Sequence, residues 1–417
     1  MEPQGGEAMA KFIADLHIHS KYSRATSSQM DVENLDLYAR AKGISLMGTG
    51  DFTHPDWLSE LKNKLQPLGN GLFKYRETHF ILTAEVCNNF RKDGQGRRIH
   101  NIILAPSFEV VEKINSSLRV YGNLRVDGRP DLALSARDLV KLVLDTYEDC
   151  LIIPAHVWTP WFSLFGANSG FDSVDDCFED QTENIYALET GLSSDPPMNW
   201  RLTSLDRFAL VSNSDSHSPS RIGREANVFD VELNYKEIIK AIKVKEKNDF
   251  LFTIEFFPQE GKYHYDGHRN CNVCLSPHQS RERGKRCPVC GGKLTIGVMH
   301  RVEELADRPE DFIPPGAVPC KHLIPLVEIL GEALGVGTES MAVKDQYDRL
   351  ITQLGTEFNI LLDLGEEQLR RSAPKRVVEG ILKVREGKVD ISPGYDGVYG
   401  KIKVFTEEAP TAQMSLF

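Results

Sequence analysis

Residues 15–23 read DLHIHSKYS, and the apolar run Phe12-Ile13-Ala14 leads straight into them. His17 and His19 stand two apart, so on a strand or its extension both rings leave the same face. One such pair is weak ground for a metal site, because a lone strand histidine more often belongs to a satisfied core. The pattern recurs, however. GTGDFTH (48–54) closes the next apolar run with Asp51, and His54 lies just beyond it. Glu85 ends FILTAEV (80–86), His100 opens IHNIILA (99–105) and His156 ends LIIPAH (151–156). Asp215 and His217 follow FALVSNS (208–214).

With FIADLHI, ISLMGT and IYALET, these runs make seven candidate strands within residues 1–245. They alternate with amphipathic stretches, the pattern of parallel strands and crossover helices in an α/β fold. SARDLVKLVLDTYED (135–149) reads as one such helix, with Ser135 as N-cap and Asp138 in its first turn. In a parallel barrel the carboxyl ends of the strands converge on one mouth. Imidazole and carboxylate groups gathered there suit divalent metals, and two close ions serve phosphoryl transfer. The set as a whole favours a metal centre over a scatter of core histidines.

The chain of 417 residues carries a net charge of −11, which by itself argues against a nucleic-acid partner. The charge is uneven, though. Residues 262–301 hold eight Lys/Arg against Asp266 and Glu282, and residues 370–388 hold seven against Glu379 and Glu386. Local patches bind phosphates whatever the total. Neither a signal peptide nor a bilayer-spanning run is read, so the expected location is the cytoplasm, with no membrane partner.

Residues 246–300 contain CNVCLSPHQSRERGKRCPVC (271–290), two C-x2-C pairs twelve residues apart. Cys271, Cys274, Cys287 and Cys290 predict a structural zinc site of four thiolates; two redox pairs are the alternative. Between the pairs lie Arg281, Arg283, Lys285 and Arg286, a basic loop for phosphate contact or an ordinary solvated charge run. Residues 301–405 read as helices followed by two short strands around SPGYDGVYGKI (392–402). In VWTPWFSLFG (157–166), Trp158 and Trp161 either meet DNA or pack a small core of their own. Arg91, Lys92, Arg97 and Arg98 in RKDGQGRR (91–98) are read on a loop, as phosphate contacts or surface charge.

DLHIHSKYS, GTGDF, AEV, PAH and NSDSH resemble the motif series of the PHP (polymerase and histidinol phosphatase) family. The resemblance implies a distorted (β/α)7 barrel with up to three metal ions. Its pattern carries over to His17, His19, Asp51, Glu85, His100, His156, Asp215 and His217. It implies Glu85 as a bridging ligand, His17, His19 and Asp215 on its first metal, and His100 and His156 on the second. Glu85, Asp215 and His217 are then the residues expected to serve catalysis. Phe52 stands where the pattern has histidine, so a third metal would depend on His54. Two or three catalytic divalent ions are expected, zinc first, with manganese or magnesium as alternatives, besides one structural zinc.

Barrel, zinc module and a basic helical region ending in PGYDGVYGKI together resemble the endonuclease Q family, from Met9 onward. That resemblance implies a repair enzyme for uracil, hypoxanthine, xanthine and abasic sites in DNA. The expected reaction is hydrolysis of the phosphodiester 5′ of the lesion by metal-activated hydroxide, in a monomer associated with the nucleoid. A histidinol-phosphatase-like small-molecule enzyme is the alternative. Residues 406–417 read as a flexible tail, and QMSLF (413–417) resembles the bacterial sliding-clamp-binding pentapeptide. Gln413 would bond at the groove's rim, while Met414, Leu416 and Phe417 would fill it.

Overall fold

The computed structural model describes residues 11–405. The tail, with its clamp-binding expectation at Gln413, Met414, Leu416 and Phe417, lies outside the described residues. All seven expected strands form: β1 (Phe12–Asp15), β2 (Leu46–Gly48), β3 (Thr78–Lys92), β4 (Gln95–Ala105), β5 (Leu151–Pro154), β6 (Ala187–Glu189) and β7 (Ala209–Val211). β1 runs parallel to β2, β2 to β3, and β6 to β7. The helix Ala136–Thr146 starts where expected, with the Ser135 hydroxyl accepting from the Asp138 amide.

The parallel pattern fails between the third and fifth strands. β3 and β4 form one long antiparallel hairpin, and β4 is antiparallel to β5. Asp93 and Gly94 explain this, with φ of 52° and 75°. Two left-handed residues in a two-residue loop make a primed turn, whose twist matches a hairpin. RKDGQGRR is therefore the tip of this ribbon.

Two more strands, β8 (Ala226–Phe229) and β9 (Phe250–Glu255), add antiparallel pairings beside β1. A small hairpin of β10 (Asp266–His268) and β11 (Val273–Leu275) carries the first cysteines. β12 (Cys320–His322) returns to the main sheet and runs parallel to β9. The main sheet thus takes strands from well beyond residue 245. On the other side, Leu16 donates its amide to Asn213 at 2.8 Å, and Ile18 bridges Ser216. This brings the ends of β1 and β7 together.

The C-terminal helices are Leu326–Leu334, Met341–Leu354, Glu366–Ser372 and Lys375–Arg385, followed by the hairpin β13 (Asp390–Ser392) and β14 (Lys401–Lys403). Their basic residues are largely engaged. Arg370 and Arg371 pair with Glu366 and Glu367, while Arg385 donates to the carbonyls of Leu361, Leu364 and Ile360. No helix among the described residues is long and apolar enough to cross a membrane.

Candidate metal centre and its surroundings

Beyond the ends of β1, β5 and β7, and within β3 and β4, side chains converge on one spot. One atom each of His17, His19, Glu85 and Asp215 can be chosen with all four within 4.8 Å of one another. Glu85, His100 and His156 form a second such group, so the two groups share Glu85. His19 Nε2 lies 3.1 Å from Glu85 Oε2 and 3.0 Å from Asp215 Oδ1. Neither contact has hydrogen-bond geometry. The buried Nε2 atoms of His17 and His19, with Asp215 Oδ1, are left without a hydrogen-bond partner. Buried polar atoms that converge without bonding one another suit a cation between them.

The backbone is bent to aim these groups. Asp51, His156 and Asp215 all have positive φ, at 48°, 34° and 46°. Such strain gathers where a site needs it. Burial opposes the charge on Asp215, but the close approach of the His19 ring and the charges of His19 and His17 hold its carboxyl well below the carboxylate range. Glu85 is held low in the same way, against burial, by His100, Arg129 and His156. His17 and His19 are raised despite burial, by Glu189 and Glu85 for the former and Asp51, Asp215 and Glu85 for the latter. Burial pushes His100 down to about 4. At neutral pH the carboxylates are therefore ionised and ready to ligate.

Three expected ligands take other places. Asp51 Oδ1 accepts from His19 Nδ1 at 3.0 Å, while Oδ2 accepts from the Ser20 amide and the Ser20 and Ser23 hydroxyls. It holds a ring and stands outside both groups. His54 turns Nε2 toward the Arg125 carbonyl at 3.2 Å and stacks on Tyr22. Phe52 is fully buried in the apolar core. His217 bonds its own loop through the Asp215 carbonyl, with its ring 4.5 Å from that of His19.

Two further neighbours belong to none of the motifs. Glu189 is fully buried and accepts from His17 Nδ1 at 3.0 Å, Asn213 Nδ2 at 2.9 Å and the His156 amide at 2.8 Å. A carboxylate closing an apolar strand, as in IYALET, is the one signal of it in the sequence. Arg129 donates to Glu85 Oε2 at 3.2 Å from a partly exposed position. The preceding Gly128 is packed so closely on Asp51 that a β-carbon there would collide with the carboxylate. That contact pins the loop that presents Arg129.

The expected DNA contacts divide. Trp158 is 1% exposed and donates to Asn199 Oδ1 at 2.8 Å, so it belongs to the core. Trp161 is 43% exposed and meets Tyr263 edge-on at 5.3 Å. Arg91 and Arg98 are exposed, whereas Arg97 is tied to the Gly170 carbonyl and lies over Phe171. Arg281 and Lys285 pair with Glu303 and Glu304, Arg286 donates to the Gly291 carbonyl, and Arg283 is exposed. A cavity of about 930 Å³ lies on the loops after β5, β6 and β7, lined by Trp161, Ser193, Arg221, Arg224, Tyr263 and Tyr399 among others. In the cysteine module, Cys271, Cys287 and Cys290 cluster with His268. Cys274 faces away, toward the Pro393 carbonyl.

Residues 325–388 match a family described as the MJ0043 C-terminal domain. The uncharacterised protein YqxK of Bacillus subtilis is 30% identical over 95% of this chain and 100% of its own length. The crystal structure of the lesion-specific endonuclease PfuEndoQ from Pyrococcus furiosus superposes with a TM-score of 0.86 at 34% identity, covering 94% of this chain and 95% of that one. An endonuclease Q complex with a 27-mer duplex substrate, its abasic lesion at the active site, gives a TM-score of 0.84 at 34% identity, covering 95% of this chain and 98% of that one.

Proposed function

This chain belongs to the endonuclease Q family, and from that premise we propose that it is a DNA repair endonuclease. It recognises uracil, hypoxanthine, xanthine and abasic sites and hydrolyses the phosphodiester 5′ of the lesion. The observation that carries this reading is the pair of ligand groups sharing Glu85 beside a large cavity on the same loops. A damaged base costs less to unstack than a sound one, and a cavity of this size accepts it. The small-molecule phosphatase reading is not favoured, since a barrel alone would not need the residues beyond 250.

The residues divide the work. His17, His19 and Asp215 would hold one divalent ion and His100 and His156 a second, with Glu85 common to both groups. Zinc fits the imidazole-rich set best, and manganese or magnesium are the alternatives. Such ions lower the pKa of water and offset charge on the phosphate oxygens. Asp51 and Glu189 fix the rings of His19 and His17, so that each Nε2 lone pair faces the site. Arg129 reaches the site from the pinned loop and is placed to hold the scissile phosphate. His217 lies beside His19 at the rim, where it can meet a leaving oxygen.

In this reading residues 1–245 form a PHP-type distorted barrel extended by β9 and β12. Residues 246–300 and 301–405 hold the duplex with Arg283 among their exposed groups, together with Arg91, Arg98 and Trp161 of the barrel. QMSLF joins a bacterial sliding clamp, and the enzyme works as a monomer near the nucleoid. The deciding experiment is an end-labelled duplex bearing each lesion in turn, with divalent metal. Nicking confined to the 5′ side of the lesion is the expected result. Hydrolysis of histidinol phosphate without nicking would overturn the proposal.

A further inference from the structure

We infer that the cysteine module binds its zinc through three cysteines and one histidine, with His268 in place of Cys274. His268 Nδ1 lies 3.5 Å from Cys290 Sγ, and ligand atoms of His268, Cys271, Cys287 and Cys290 all fall within 4.8 Å of one another. These distances suit a tetrahedral site whose ligands draw in slightly around an ion.

Strand register explains the choice. In the β10–β11 hairpin His268 pairs with Val273 and Gly267 with Cys274. Paired residues share a face and successive ones alternate, so Cys274 points away from His268. The Cys274 face is already covered. A β-carbon on Gly267 would collide with the Tyr395 ring, and Cys274 Sγ donates to the Pro393 carbonyl at 3.8 Å.

The spacing survives the exchange. His268 and Cys271 form an H-x2-C pair equivalent to the C-x2-C pair of Cys287 and Cys290. Each pair is built as a knuckle. Arg269–Cys271 is a single 3₁₀ turn closed by left-handed Asn272, and Gly291, also left-handed, returns its amide to the Cys287 carbonyl at 2.9 Å.

The exchange has a chemical consequence. Three thiolates around Zn²⁺ leave a net charge of −1 where four would leave −2. The less negative site is the better neighbour for phosphates beside Arg283 and Arg286. It also leaves Cys274 as a free thiol between the module and the 393–400 loop that carries Tyr399 to the cavity rim. This inference holds whether or not the chain cuts DNA.

The test uses the full-length protein after dialysis against EDTA, with retained zinc measured by mass spectrometry. Cys274→Ser should keep about one zinc per chain, and His268→Ala should lose it. Zinc lost in Cys274→Ser, or kept in His268→Ala, would overturn the assignment. A second measurement needs no variant. With Co²⁺ in place of zinc in the folded protein, the thiolate-to-metal charge-transfer absorption should have the intensity of three thiolates. An intensity matching four would refute it.

Discussion

Replacing Glu189 by Gln is the sharpest test of the metal centre, because it changes charge and almost no volume. Glu189 Oε1 accepts from His17 Nδ1 and Asn213 Nδ2, and Oε2 from the His156 amide. Whichever way a glutamine turns, its NH₂ faces a donor, either Asn213 Nδ2 or the His156 amide. An unmet buried donor costs about 1–3 kcal/mol. Either way the remaining oxygen stays within 3.0 or 3.1 Å of His17 Nδ1, but as a neutral, weaker acceptor, so less holds the proton on Nδ1 and the Nε2 lone pair toward Asp215 and Glu85. Mutation of such an orienting partner typically lowers metal affinity about 10–100-fold, or about 1.4–2.8 kcal/mol. The assay titrates divalent ion into chelator-stripped protein against a chromophoric competitor, with circular dichroism to show that the variant folds. A folded variant with unchanged metal affinity would refute the idea that Glu189 aims His17.

Arg129→Ala should lower kcat/KM for nicking about 100-fold, about 2.7 kcal/mol, while metal content stays constant. Loss of metal instead would make Arg129 a support for Glu85 alone. Trp158→Ala should cost about 3–5 kcal/mol in denaturant unfolding, since the ring is buried. Trp161→Ala should leave stability nearly untouched and weaken duplex binding, measured by anisotropy in the same buffer. Burial pushes the Glu255 carboxyl up to about 8, so the folded state holds that proton more tightly than the unfolded one. Its contribution is whole below about pH 4.3 and drains as pH rises toward 8, at about 1.4 kcal/mol per pH unit. Glu255→Gln should therefore gain in Tm over the parent as pH rises from roughly 5 to 8; parallel curves would contradict this. Deleting residues 413–417 should abolish pull-down of a bacterial clamp while nicking of free oligonucleotides continues; clamp capture by the truncated chain would remove QMSLF from the proposal.

Much of this protein is legible in its amino-acid sequence. Strand identity follows from short apolar runs bounded by turns, and all seven are present, because β-branched and large apolar side chains must be buried wherever the strands pair. The residues at or near their ends converge because the topology brings those ends together; position offers nine candidates, His17, His19, Asp51, His54, Glu85, His100, His156, Asp215 and His217, and the two groups that could hold a metal take in six of them. Composition and spacing carry no pairing direction. The Asp93-Gly94 turn that makes β3 and β4 a hairpin is present as a dipeptide, but it outweighs a helical crossover only when both strands lie in one sheet.

The remaining decisions belong to tertiary structure. Asp51 and His54 have the chemistry of ligands, yet one spends both oxygens on His19, Ser20 and Ser23 and the other faces a carbonyl. Trp158 and Trp161, three residues apart on one loop, end on opposite sides of the surface. The sequence determined which residue types stand at strand ends and knuckles, since that depends on local period and turn chemistry. Only the folded chain decided which lone pairs meet, because a hydrogen bond taken by a neighbour distant in sequence removes a ligand as surely as a substitution. Glu189 and His268 show the reverse case: ordinary residues in the sequence, given a place in the site by the strand register around them.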